Sequence, residues 1–223
     1  MTGWIAIIPI RSLTEGKSRL AGYFSPDERA RLVRTMFEHV IETVKQSGVI
    51  DRIAVVSPDP AVLDLIERDP DPRVIAAEQP PDRPGLNEAV AIGRELALDL
   101  HAGGMLVLFG DLPLLEPDDV RSLIRRDAPL VIATDRHGAG TNALMMRLGS
   151  STAADFAFSY GPNSRQRHLD EADRLGLDAV TAISAGTAFD LDTIDDIERL
   201  GAYGRALPDW LADRCATFQE KSA

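Results

Sequence analysis

Met105-Leu106-Val107-Leu108-Phe109-Gly110-Asp111-Leu112-Pro113-Leu114-Leu115 decides how this chain is read. Five apolar residues make a run of strand length, and Gly110 and Pro113 end it. An apolar run stopped in this way is a buried strand reaching a loop. Asp111 then lies just past the carboxyl end of that strand, where open α/β sheets place their ligands. A core has no use for a carboxylate there, whereas a divalent metal carrying a nucleotide phosphate needs hard oxygen ligands. On this stretch alone, Asp111 fits either that role or the cap of a turn or helix.

Working outward, the same kind of strand recurs. Ile5-Ala6-Ile7-Ile8-Pro9 is nearly all apolar, as expected of a strand covered on both faces. Ser25-Pro26-Asp27-Glu28 predicts a helix start with Ser25 as cap and Glu28 closing a capping box. Val33, Met36, Phe37, Val40, Ile41 and Val44 continue it at helical spacing, and Gly48 ends it. Further strands are expected at Ile53 to Ser57, Val74 to Ala76, Leu130 to Ala133 and Ala143 to Met146, and near Val180 and Phe189. Helices are expected after Pro58, over Asn87 to Leu100, after Glu116, over Ser164 to Leu175 with Ser164 as cap, and from Ile194. Pro80 to Gly85 is too rich in Pro and Gly for regular structure. This alternation predicts a single α/β domain with a mostly parallel sheet flanked by helices, over residues 1–205, and a C-terminal tail over 206–223.

Composition narrows the function. With 35 acidic against 24 basic residues, the 223-residue chain carries a formal net charge of -11. A nucleic-acid binder needs a basic face to displace counterions, so that class is excluded. A few cations in a cleft can still hold a small anion. Cys215 is the single cysteine, which leaves no intrachain disulfide and no cysteine-based zinc site. No apolar run has membrane-spanning length, and Met1-Thr2-Gly3-Trp4 carries no basic leader, so a cytoplasmic protein without a membrane partner is expected.

Four stretches carry chemistry. The loop from Arg11 to Leu20, with Arg11, Lys17 and Arg19, is a phosphate-binding arrangement after a first strand, without the spacing of a P-loop. In Phe189-Asp190-Leu191-Asp192-Thr193 an extended backbone sets Asp190 and Asp192 on one face, and with Asp111 they are candidate metal ligands. Capping of the last helix by Asp192 or Thr193 is the alternative. Arg136-His137-Gly138-Ala139-Gly140-Thr141-Asn142 and Tyr160-Gly161-Pro162-Asn163-Ser164-Arg165-Gln166-Arg167-His168 are polar loops suited to a second anion, the latter at a helix N-terminus. His137 and His168 are candidates for acid/base roles, although an ionised acceptor phosphate needs no base.

Pro9 with Lys17 to Leu20, Ser57-Pro58-Asp59, Gly85-Leu86-Asn87, Gly110 to Leu115, Asp135 to Asn142, Gly161-Pro162 with Ser164, and Asp190-Leu191-Asp192-Thr193 run in order along the chain. As a set they resemble the 2-phospho-L-lactate / phosphoenolpyruvate guanylyltransferases of coenzyme F-420 biosynthesis. The resemblance implies a nucleotidyltransferase domain of GT-A, Rossmann-like type, GTP as donor, Mg²⁺, and a small phosphorylated carboxylate as acceptor. Phosphoenolpyruvate is the first choice, ahead of 2-phospho-L-lactate and 3-phospho-D-glycerate. It places the acceptor on Thr141, Gly161 and Ser164. Lys17 with Arg11 or Arg19 would hold the phosphates, and Asp111 with Asp190 or Asp192 the metal. Ser57, Gly85 and Asn87 would line the guanosine side. The chain departs from the resemblance at Asn163-Ser164-Arg165, where Gly-Ser-Phe is the expected run, and between Asn142 and Gly161, which is long. Rivals are a cytidylyltransferase or molybdopterin guanylyltransferase of the same fold, and a nucleotide-binding regulator without turnover.

Overall fold

A computed structural model describes residues 3–149 and 151–202. The expected tail and Cys215 lie outside the described residues. The strands are β1 (Trp4–Pro9), β2 (Arg52–Ser57), β3 (Val74–Glu78), β4 (Gly104–Leu108), β5 (Leu130–Ala133), β6 (Ala143–Arg147) and β7 (Ala179–Ala182). They form one sheet in the order β3-β2-β1-β4-β6-β5-β7. Every pairing is parallel except those of β6, which runs against both β4 and β5.

Strand side chains alternate between faces, and both faces are covered. Ala6, Ile8, Leu106 and Leu108 join one buried cluster, with Phe37, Val40 and Val44 of α1 (Pro26–Ser47), Val62 of α2 (Pro60–Glu67) and Val120 of α4 (Pro117–Ile124). Ile5, Ile7, Met105 and Val107 join the other, with Val90 of α3 (Leu86–Asp99), Ala153 of α5 (Ser151–Asp155) and Ala172 of α6 (Ser164–Leu175). This is why the strand runs are continuously apolar.

Helix α1 starts and stops where its sequence says. Ser25 Oγ accepts from the Glu28 N–H at 3.3 Å, Glu28 Oε2 accepts from the Ser25 N–H at 2.8 Å, and Gly48 closes the helix in the left-handed region. Two expectations need correction. Phe189 is extended but belongs to no strand: the segment makes one backbone bond to the β4 loop, Leu191 N–H to Asp111 C=O at 3.2 Å, and no ladder. A short helix, α7 (Ala185–Ala188), comes before it, and α8 (Ile194–Ala202) follows. Ser164 is the first helical residue of α6, not its cap. Asn163 holds the cap position at φ 57° without a capping side-chain bond.

Chain direction along the sheet turns at the β1–β4 pair: β2 and β3 lie beyond β1, and the later strands lie beyond β4. Their carboxyl ends form a crevice at this switch point, where open α/β sheets bind ligands. A third apolar cluster of Leu20, Phe24, Leu32, Met36, Leu114, Phe189 and Leu191 pins together the loops after β1 and β4 and the segment after α7. Their polar neighbours are thereby held at the crevice.

Candidate active site

Lys17 is the centre of the crevice. Its Nζ donates to Asp111 Oδ2 at 2.6 Å and to Asp192 Oδ1 at 2.9 Å, and its side chain is 7% exposed. Burial opposes the ammonium charge, but the two carboxylates outweigh it and hold Lys17 above its ordinary pKa. Its backbone is left-handed at φ 56°, a conformation that costs a non-glycine residue about 1 kcal/mol and marks functional segments. Arg19, on the 3-10 turn Ser18–Leu20, is largely exposed and reaches Asp192 at 3.4 Å.

Leu191 is fully buried, so Asp190 and Asp192 flank an inward anchor. Asp190 accepts from Asn142 Nδ2 at 3.3 Å. Burial and then the Asp111 carboxylate push Asp190 above the usual carboxylate range. Asp111 Oδ1 is buried and has no hydrogen-bond partner. Two facing carboxylates and an unmatched acceptor are what a cation would neutralise. The three expected metal ligands do not form a cage of their own. Among the described residues no three His, Cys, Asp or Glu side chains come together to hold a metal ion, and Lys17 stands between Asp111 and Asp192. A cation on Asp111 and Asp190 therefore fits only if a ligand supplies further oxygens, as a nucleotide phosphate does. Capping of α8 falls largely to Asp196, which the sequence reading missed. Its Oδ2 accepts from the N–H groups of Asp192 and Thr193, and Arg136 pairs with it.

On one side of Lys17 a cavity of about 380 Å³ runs past Arg11, Gly16, Phe109 and Asp111. It shares Pro9, Ile10, Arg11 and Leu86 with a second cavity of about 520 Å³, walled by Pro58, Gln79, Pro80, Pro84 and Gly85. Gly85 is at φ 93°, the conformation that starts α3 there. Arg11 is exposed, and among the described residues it makes only a 3.5 Å pair with Glu15. Ser57 and Asn87 do not line the second cavity. The Ser57 hydroxyl is turned inward and accepts from the Asp59 N–H, while Asn87 Oδ1 accepts from the Tyr160 N–H at 2.7 Å. Gln79 was missed: a lone polar residue between a strand and two prolines carries no motif.

On the other side, Thr141, Gly161 and Ser164 are brought together around His168. Ser159 N–H donates to His168 Nε2 at 3.0 Å, so the ring proton sits on Nδ1 and is donated to Thr141 Oγ1 at 3.1 Å. His168 is fully buried, and burial, aided by Arg167, pushes its pKa down to about 4. It is a neutral positioning residue, not an acid/base group. His137 is exposed and accepts from Arg136 Nε. Gly161 is at φ 116° beneath Arg167, and the Arg165 guanidinium lies beside Gly138 with its Nε buried and without a hydrogen-bond partner. The Arg165 N–H ties α6 to Ala139 C=O at 3.1 Å.

A Methanothermobacter thermautotrophicus nucleotidyl transferase shares the fold at a TM-score of 0.64 and 16% identity, covering 90% of this chain and 97% of its own. A Mycobacterium tuberculosis protein crystallised with manganese shares it at 0.58 and 15%, covering 89% and 97%. Sequence relatives are nearer. A phosphoenolpyruvate guanylyltransferase of Sphaerobacter thermophilus is 36% identical over 201 residues, 89% of this chain and 93% of that protein. Residues 4–207 match the profile of the family described as "Guanylyl transferase CofC like", a span that contains every residue gathered around Lys17, so the chain belongs to that family of nucleotidyltransferases.

Proposed function

We propose that this enzyme joins GMP from GTP to phosphoenolpyruvate and releases pyrophosphate, in the cytoplasm, as a step toward coenzyme F-420. The observation that carries this reading is one continuous crevice at the sheet's switch point. It runs from a proline-walled cavity past Lys17, Asp111 and Asp192, and the loops that carry Thr141 and Ser164 lie at the same carboxyl edge. The S. thermophilus relative bears the name of the same reaction.

In this reading the guanosine lies in the larger cavity and its triphosphate extends along the smaller one. Lys17, already charged and buried, exchanges a carboxylate for phosphate oxygens, with Arg11 and Arg19 at the rim. Asp111 and Asp190 would hold a divalent cation, Mg²⁺ in the cell, with Asp192 beside them. Bound there, the cation would supply positive charge against the triphosphate and the departing pyrophosphate. The acceptor phosphate is placed by the Thr141 hydroxyl and by the Gly161–Ser164 turn. Because His168 donates to Thr141 Oγ1, the hydroxyl's own proton is free to be given to an acceptor oxygen. Arg165 then faces the acceptor carboxylate. No general base is required, since the attacking phosphate oxygen is already ionised. The enzyme's contribution is in-line positioning and charge neutralisation.

The test is pyrophosphate release measured with GTP, ATP, CTP and UTP against phosphoenolpyruvate, 2-phospho-L-lactate and 3-phospho-D-glycerate. The expected result is turnover with GTP and phosphoenolpyruvate that stops with excess chelator. Equal use of ATP would remove the guanosine assignment, and preference for another phosphoacid would reassign the acceptor.

A further inference from the structure

Gln79 is fastened at both ends of its residue. Its backbone N–H donates to Ser57 C=O at 2.9 Å. Its side-chain amide nitrogen donates to Arg83 C=O at 2.7 Å and to Gly85 C=O at 2.8 Å. A primary amide has two N–H groups, and both are spent. Two carbonyl partners also settle which way round the amide lies. The side chain is 6% exposed, yet it lines the cavity of about 520 Å³. What it has left is Oε1, an acceptor with two lone pairs, accessible at the cavity and with no donor among the described residues. Because the two donations fix the amide, that acceptor is held in one orientation before any ligand enters.

Apart from Arg11, the other side chains of that wall are apolar. Pro9, Pro58, Pro80, Pro81 and Pro84 present flat apolar faces and have no backbone N–H. Such a wall suits the two faces of a planar base and leaves discrimination to its edge. Guanine carries two adjacent donors on one edge, N1–H and the 2-amino group. Adenine has a lone pair at N1. A fixed acceptor opposite that position accepts from the first and repels the second, and a site built on a buried polar group rejects the analogue that leaves it unpaired.

We propose that Gln79 Oε1 reads the base: it accepts from the N1–H and 2-amino edge of guanine and sets the preference for GTP over ATP. The inference rests on the guanylyl-transfer reading above and adds the residue that makes the base choice.

The experiment is equilibrium binding of GTP and of ATP, without acceptor and so without turnover, to the wild-type protein, Gln79→Met and Gln79→Glu, each checked by circular dichroism. Methionine keeps the volume and removes the acceptor; glutamate keeps an acceptor and loses both donations to the loop. Gln79→Met is expected to weaken GTP roughly ten- to hundredfold and to change ATP by less than about threefold. Gln79→Glu is expected to retain the GTP preference. If Gln79 only braces the loop, both variants weaken GTP and ATP alike and the ratio stays at its wild-type value, which overturns the proposal. Should Gln79→Met fail to fold, the wild-type protein is titrated with 2-aminopurine riboside triphosphate and purine riboside triphosphate, which differ only in the 2-amino group. Tighter binding of the first supports the proposal, and equal binding overturns it. Wild-type protein that binds ATP as well as GTP removes the guanylyl reading itself, a different outcome from a GTP preference that survives in Gln79→Met.

Discussion

The two ends of the proposed donor crevice, one for the base and one for the phosphates, are built on opposite plans. At the base end, Gln79 fastens the Pro80 to Gly85 loop, and Arg83 is held on α3 by Glu88 at 2.8 Å and Glu95 at 2.7 Å. Its groups are in place, and a ligand has only to fit. At the phosphate end, Lys17 pairs with Asp111 and Asp192, Arg19 reaches Asp192, and Lys17 sits in a strained backbone conformation. Here a ligand must exchange partners with the protein's own ions. Shape and hydrogen bonding can be made rigid in advance at low cost. Buried charges cannot be left unpaired in advance, so the chain stores them as ion pairs.

The comparison breaks most visibly at Asp111. Asp111→Asn is expected to lower turnover at least about a hundredfold while circular dichroism shows an intact fold, because it removes charge where the triphosphate is neutralised. Near-normal turnover would show that the phosphate end does not depend on its carboxylates. The acceptor side sharpens the contrast next. Arg165→Ala is expected to raise the KM for phosphoenolpyruvate about tenfold and leave that for GTP unchanged. A rise in the GTP KM alone would move the acceptor pocket elsewhere.

His168 tests whether the acceptor side resembles the rigid base end. Its pKa lies near 4 when folded and near 6.5 when unfolded, so the unfolded chain takes up a proton first as pH falls. The stability contributed by the neutral ring is complete above pH 6.5 and is lost between 6.5 and 4, about 2 kcal/mol of it by pH 5. Thermal unfolding at pH 7.5 and pH 5 should show that loss in the wild-type protein and a smaller one in His168→Gln; equal losses would detach it from this ring. The smallest effect is expected at the rim. Arg19 is 71% exposed, and Arg19→Ala should change kcat/KM for GTP less than about threefold. A tenfold loss would mean that Arg19 closes onto the phosphates.

Fold and site were legible to different degrees. The caps of α1, the Pro80 to Gly85 loop and the strand ending before Asp111 were readable because each depends on neighbours a few residues apart. The segment around Phe189 was read as a strand because an extended apolar run looks the same whether or not a neighbouring edge pairs with it. Ser57 and Asn87 were placed at the guanosine side on family pattern alone, and their side chains instead hold Asp59 and Tyr160.

The sequence by itself determined the α/β alternation, the helix ends and the residue types available for phosphate chemistry, since turn chemistry and hydrophobic period act locally. Only the tertiary structure decided that β6 runs antiparallel, that Lys17 pairs with Asp192 at a separation of 175 residues, and that His168 is neutral beneath Thr141. It also decided that Gln79 spends both amide donors on its own loop at a proline-walled cavity. Each of these depends on which distant groups burial brings together, and on the charge or hydrogen bond that must then be satisfied away from water.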